Sequence, residues 1–178
     1  MIYFTADTHF AHKRIIELAK RPFTTVEEMD EVMIKRWNTV VTANDVVYHL
    51  GDFAWTDHTP YLQQLNGQKH LILGNHDYDS RVDKAKGWHS VERYRELKIG
   101  DDNLVLFHYA MRVWNKSHHG SISLYGHSHG NLLGDDQSLD VGVYCWMFAP
   151  ITLEMIKKRL SYAPKRFEPD HHKAKEVA

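Results

Sequence analysis

Short apolar runs recur along the chain, and several of them end on a small cluster of Asp, Asn, Gly or His. Residues 2–6 are apolar, β-branched or aromatic and close on Asp7, which predicts a buried first strand. Residues 12–20 predict a short helix with Ile15, Ile16 and Ala19 on one face, stopped by Pro22. Thr25 with Glu28 three residues on forms a capping box, and Val26, Met29, Met33 and Trp37 follow at helical spacing as a core stripe. Residues 46–50 predict a second strand that ends at Gly51-Asp52. Thr59-Pro60 opens a helix through Tyr61, Leu62 and Leu65, closed by Gly67, and residues 70–73 predict a third strand ending at Gly74-Asn75. This rhythm of strand, polar cluster and helix, up to about Lys86, predicts parallel βαβ units.

The second half has a different pattern. Residues 92–99, 103–108, 121–125, 139–144 and 151–153 predict strands with few helices between them, hence a second sheet that is mixed or antiparallel. Residues 154–160 predict a closing helix. Periodicity is lost from Pro164, so one domain is expected over 1–163 and a loosely ordered tail over 164–178. No internal repeat or interdomain linker is visible.

The chain has 178 residues, enough for a domain that buries about 70% of its unfolded surface. Its 43% hydrophobic and 25% charged residues argue against wholesale disorder. A formal net charge of -1 gives no footprint for long duplex nucleic acid, although a metal centre can supply positive charge for a short or single-stranded substrate. The single cysteine, Cys145, rules out an intrachain disulfide and a Cys-rich zinc site. The first residues lack a basic segment and meet Asp7 too early for a signal peptide, and no apolar run is long enough for a bilayer. A soluble cytoplasmic protein with no membrane association is expected; the oligomeric state is left open.

Fourteen histidines are many for this length, and five of them lie in the clusters that follow the strands. The clusters are Asp7-Thr8-His9, Gly51-Asp52, Gly74-Asn75-His76-Asp77, His108 and Gly126-His127-Ser128-His129. Any one of them alone is an ordinary turn, because Asp and Asn commonly cap the ends of strands. Together they deliver carboxylates, imidazoles and one amide to a single sheet edge, which is the ligand set of a two-metal centre. At an extended strand end, side chains two positions apart share one side of the backbone. Asp7 with His9, and His127 with His129, are therefore each expected to point one way. Asp52 is the natural bridging carboxylate, since its two oxygens can hold two cations about 3.5–4 Å apart. Asn75 adds a neutral amide oxygen.

These five blocks, in this order, resemble the D-x-H, G-D, G-N-H-[DE], H and G-H-x-H blocks of the calcineurin-like metallophosphoesterase superfamily. The resemblance spans residue 2 to about residue 154 and implies an α/β fold, a four-layer α/β/β/α sandwich of two mixed sheets. It implies that Asp7, His9, Asp52 and His129 hold a first metal. Asp52, Asn75, His108 and His127 would hold a second. It implies that His76 is the general acid, with Asp77 or Asp79 as candidates to orient it. The donor set suits Mn²⁺, with Fe, Zn²⁺ or Ni²⁺ as other occupants. The chemistry expected is attack on phosphorus by a hydroxide bridging two cations, with His76 protonating the leaving oxygen. The opening 7–12, Arg21-Pro22-Phe23, and Val141-Gly142-Val143 with Trp146 and Pro150 resemble a small bacterial and phage branch of the superfamily. The protein phosphatases of the superfamily follow their G-D block with an Asp and an Arg. Phe53-Ala54-Trp55 stands here instead, which argues against a protein phosphatase.

No insertion is long enough for a lid, so the site is expected to be open and to take a phosphodiester or a small nucleotide, with a phosphomonoester as the alternative. His12 and Arg112 are the candidate substrate contacts. Two other readings are weighed. A non-catalytic scaffold of the same fold would tend to have lost a ligand or His76, and none is missing. Gly126-His127-Ser128-His129-Gly130 also fits the G-x-S-x-G nucleophile elbow, but residues 131–136 look like a turn where that elbow needs a helix.

Overall fold

The computed structural model describes residues 1–77, 82 and 84–166. Among the described residues nine strands form two sheets. The first holds β1 (Ile2–Thr5), β2 (Val46–His49), β3 (Gln68–Ile72), β4 (Trp88–Glu92) and β9 (Ile151–Thr152), in the order β4-β3-β2-β1-β9. Strands β1 to β3 are mutually parallel, as the βαβ rhythm predicted; β4 adds parallel to β3, and β9 runs antiparallel to β1. The second sheet holds β5 (Arg95–Ile99), β6 (Asp102–Leu106), β7 (Ile122–Tyr125) and β8 (Ser138–Asp140), in the order β5-β6-β7-β8. Strand β5 is antiparallel to β6, while β6, β7 and β8 are parallel. The protein is thus an α/β fold of two mixed sheets with flanking helices.

Alternation along the central strands divides the core in two. Tyr3, Val47 and Leu71 face one side and join Met29, Met33 and Trp37 of helix α2 (Val26–Val40). Phe4, Tyr48 and Ile72 face the other and meet Leu104, Leu106, Leu124 and Leu139 of the second sheet. Full burial of each such side chain contributes about 1.5–3 kcal/mol. The Thr25 cap is present, its side chain accepting from the Glu28 N–H. Thr152 caps α4 (Leu153–Leu160), which sends Ile156 and Leu160 into the core between the sheets.

Some boundaries differ from expectation. The helices expected over 12–20 and 59–65 contract to α1 (Ile15–Leu18) and α3 (Thr59–Leu62). Of the strand expected over 92–99 only residues 95–99 form one, β5, while Glu92 ends β4, an unexpected strand of the other sheet, with the break at Arg93-Tyr94. No Gly or Pro marks that break, and both halves alternate, so the chain changes sheet without a local signal. The strand expected over 139–144 ends at Asp140, and a 3-10 turn over Val143–Cys145 replaces its end. The first residues of the expected tail, 164–166, make contacts with the domain. The Asp136 N–H donates to the Pro164 carbonyl, Asp136 accepts from Lys165 and from the Arg166 N–H, and the Arg166 guanidinium lies 3.7 Å from the Trp114 ring centroid. Residues 167–178 of that tail lie outside the described residues.

A candidate two-metal centre

Parallel strands bring their C-terminal ends to one rim, which is where open α/β sheets place ligands. Asp7 and His9 follow β1, Asp52 follows β2, Asn75 and His76 follow β3, His108 follows β6, and His127 and His129 follow β7. Backbone hydrogen bonds stitch these loops together. The Asp7 N–H donates to Gly51 O at 2.9 Å, His9 N–H to Asp52 O at 3.0 Å, and Gly126 N–H to His108 O at 3.0 Å.

Two groups of donors result. Asp7, His9 and His129 each offer a ligand atom within 4.8 Å of the others, and so do Asp52, His108 and His127. In the first group His9 Nε2 and His129 Nε2 are 3.3 Å apart, and Asp7 Oδ1 is 3.8 Å from His129 Nε2. In the second, Asn75 Oδ1 is 3.1 Å from His108 Nε2. Asp52 joins them, its Oδ2 lying 3.6 Å from His9 Nε2 and 3.6 Å from His108 Nε2. Donors held about 2.0–2.2 Å from a common first-row cation stand roughly 3–4 Å apart, so these spacings fit two such ions sharing Asp52.

The electrostatics fit as well. Burial, then the Asp52 and Asp140 charges, push the Asp7 carboxyl well above the usual carboxylate range. Burial, then Arg21, hold His9 well below the usual imidazole range, and the same two causes lower His129 to about 4. Burial and His108 lower His127. A centre that disfavours both bare carboxylates and protonated imidazoles is one in which a divalent cation satisfies both. His108 Nδ1 lies 2.7 Å from Leu50 O, so its N–H donates there and the Nε2 lone pair is left for the centre.

The local backbone is not the extended one expected. Asp7, His9, Asp52, His127 and His129 all have positive φ, between 48° and 64°. Five of the seven ligand-type residues thus sit in a left-handed conformation that costs non-glycine residues energy, a strain that clusters at functional sites. His127 and His129 enter different groups. Glycines make the approach close enough. A Cβ on Gly51 would lie 2.5 Å from His108 Nδ1, and one on Gly126 2.6 Å from Asp7 Oδ2.

His76 lines the cleft beside the first group, its ring 5.7 Å from His9 and 5.3 Å from Trp55. Its N–H donates to Asp52 Oδ1 at 2.9 Å, which leaves Oδ2 toward the two groups. His76 Nδ1 is buried without a hydrogen-bond partner among the described residues. Asp77 does not orient it. The Asp77 carboxylate instead accepts from the N–H groups of Asp52, Phe53 and Gly74 at 2.7, 3.0 and 2.9 Å, stapling two ligand loops. Asp79, the other candidate, lies outside the described residues. His12 lines the same cleft; its Nδ1 accepts from the Ile15 N–H, so a neutral ring keeps its proton on Nε2. Arg112 does not line that cleft. It is exposed, and its carbonyl accepts from Arg166.

Three supporting residues lay outside the expected set. Arg21, buried, donates to Asp7 O at 2.7 Å, to Thr8 O at 2.8 Å and to the Tyr144 hydroxyl at 2.8 Å. Tyr144 stacks on His129 at 4.6 Å. Asp140 accepts from Ser128 Oγ at 2.6 Å and from the N–H groups of Gly130 and Gly142. Ser128 is therefore engaged with a carboxylate, and no helix follows it, so the nucleophile-elbow geometry is absent.

The model of the calcineurin-like phosphoesterase superfamily domain matches residues 1–150. The uncharacterized protein MJ1445 of Methanocaldococcus jannaschii is 32% identical over 169 residues, 88% of this chain and 89% of that protein. The Gene 66 protein of Mycobacterium phage L5 is 38% identical over 81 residues, 42% of this chain and 39% of that protein. Among solved structures, a protein of unknown function from Aquifex aeolicus, AQ665, has the same fold. Its TM-score is 0.70 at 24% identity, covering 89% of this chain and 98% of that one.

Proposed function

The chain belongs to the calcineurin-like phosphoesterase superfamily, and from that premise we propose that it is a cytoplasmic, dinuclear metal-dependent hydrolase of phosphodiesters or small nucleotide phosphoesters. The observation that carries this reading is the position of Asp52 Oδ2, equally spaced at 3.6 Å from His9 Nε2 and His108 Nε2. One oxygen between two donor groups is what a pair of cations needs to share. Asp7, His9 and His129 would hold the first cation, and Asn75, His108 and His127 the second. Mn²⁺ is the occupant we propose. Bound there, two divalent cations would supply hydroxide at neutral pH and offset charge on the phosphoryl oxygens.

The chain's own groups do the rest. Two carboxylates and five neutral donors leave the loaded centre positive, so an anionic ester is drawn to it. Asp77 and Arg21 fix the ligand loops in strained conformations, so little reorganisation is needed when charge develops. His76 gives a proton to the leaving oxygen, a step worth about 10²–10⁴-fold. Exposed Asn75 and His127 leave the second group open to a substrate. No helix among the described residues is long and apolar enough to cross a membrane.

The test is turnover of bis-p-nitrophenyl phosphate by chelator-stripped protein with Mn²⁺, Ni²⁺, Zn²⁺ or Mg²⁺ returned, alongside metal analysis. Two ions per chain and Mn²⁺-restored activity are expected. His76→Ala should keep both ions and lose about 10²–10⁴-fold in kcat. Loss of metal in that variant would show that His76 is a ligand and not the acid.

A further inference from the structure

A cleft of about 510 Å³ opens beside the first donor group, with His9, His76 and His129 at its inner end. Its other walls are not built for a small inorganic ester. Trp55 and Leu18 line it and are 38% and 66% exposed, although both are large and apolar. Ile15 and His12 complete that wall, with Lys13 and Arg14 at the exposed edge. The wall is held in place. The Trp55 N–H donates to Phe10 O at 2.8 Å, Ala54 forms a β-bridge with Phe10, and the His12 ring meets Trp55 edge-on at 4.1 Å. His12 is itself fixed by the bond from the Ile15 N–H to its Nδ1. An indole face anchored beside an anion-binding centre suits a flat, uncharged ring, and the volume lies within the range that takes a ligand of nucleoside size.

Trp55 also touches the group that decides which side of the ester sits here. Its ring centroid is 5.3 Å from that of His76. Resting on the reading of His76 as the general acid, we infer that this cleft is the leaving-group subsite and that it takes a nucleoside, with the base against Trp55 and Leu18. The nucleoside is then expelled as an alcohol. Oxygen from water forms the new bond to phosphorus and its proton goes to solvent, the bond from phosphorus to the nucleoside oxygen breaks, and that oxygen takes the proton of His76, which solvent returns.

The ethyl ester of adenosine 5′-monophosphate tests this, because it offers two alkoxide leaving groups on one phosphorus. With the Mn²⁺-loaded protein, the inference expects adenosine and ethyl phosphate in at least about tenfold excess over adenosine 5′-monophosphate and ethanol. Trp55→Ala should bring the ratio near unity, and Trp55→Phe should retain most of it. A partly misfolded variant lowers both cleavages together and cannot move the ratio. Excess ethanol release by the wild type, or a ratio unchanged in Trp55→Ala, overturns the inference and leaves the phosphodiesterase reading standing. If no metal supports cleavage, that reading falls and the subsite is judged by adenosine alone. Quenching of tryptophan fluorescence in the wild type that is lost in Trp55→Phe then upholds the cleft as a nucleoside site and overturns its leaving-group role, and no quenching overturns both.

Discussion

The two donor groups share Asp52 but are backed differently. Asp7 and His9 are buried, and Arg21 and Tyr144 lie behind them on carbonyls and on the His129 ring. In the second group His108 is fully buried, yet Asn75 and His127 are exposed, and the outer wall is Tyr109, itself 38% exposed, at 4.7 Å from the His127 ring. The first group is thus a pre-formed cage held from behind, and the second has one anchored ligand and two at the surface. Such a difference sets exchange rates more than ligand identity does, because an ion leaves through the side where water can replace its donors.

The strongest way to break this contrast is to remove what the groups have in common. Asp52→Asn takes the bridging charge from both, and its buried amide leaves an N–H₂ among imidazoles. Expected are loss of bound metal from both groups and a fall in activity of at least about 10³-fold, read by metal analysis and turnover. Retention of two ions would mean that Asp52 does not bridge.

Separating the groups comes next. Titration of the loaded protein with a chelator should remove metal in two phases, the second group emptying first. His127→Ala should abolish the weaker phase and keep the tighter one, leaving one ion per chain. A single phase in the wild type, or loss of both ions in the variant, would erase the distinction drawn from burial.

Arg21 sharpens the contrast from the other side. Arg21→Met keeps an unbranched side chain but removes the guanidinium, which donates to the Met29 and Met33 sulfurs, and so frees the carbonyls of Asp7 and Thr8. Support of this kind is typically worth 10–100-fold in metal affinity, so about that loss is expected at the tighter phase, with the weaker one unmoved. A fall in both phases would show that Arg21 supports the fold in general.

Arg21 also shows where the sequence stops speaking. Ligand-type residues were visible because chemistry restricts them to a few side chains and because apolar runs place them at strand ends. Their supports were not. Nothing near Arg21-Pro22-Phe23 says that its guanidinium reaches Asp7 and Thr8, and Asp140 looks like any strand-end Asp. Asp77 sat in the motif, but its use of three backbone N–H groups depends on two loops meeting in space. The left-handed turns at Asp7 and His9 were hidden for a related reason, since alternation describes an extended chain and both residues had just left it. In the fold, the parallel half was legible from its strand and helix rhythm, whereas the change of sheet at Arg93-Tyr94 followed from packing between sheets.

The smallest effect belongs to Ser128, and it separates two chemistries that the motif alone leaves open. Its hydroxyl donates to Asp140 Oδ2 at 2.6 Å, while Asp140 keeps two backbone N–H donors, from Gly130 and Gly142. Ser128→Ala therefore removes one of three bonds to a buried carboxylate. A hydrogen bond to a charged group contributes about 1.5–3 kcal/mol, and the lower end applies here because the carboxylate stays solvated by the other two. A fall of about 1.5 kcal/mol in unfolding free energy is expected, measured by denaturant, with activity within about threefold of the wild type. The loop between His127 and His129 loosens slightly, so metal affinity at both groups should weaken together, and by less than the loss that Arg21→Met causes at the tighter one. A serine nucleophile at this position would give the reverse pattern: stability nearly intact, turnover abolished, and no response to chelator.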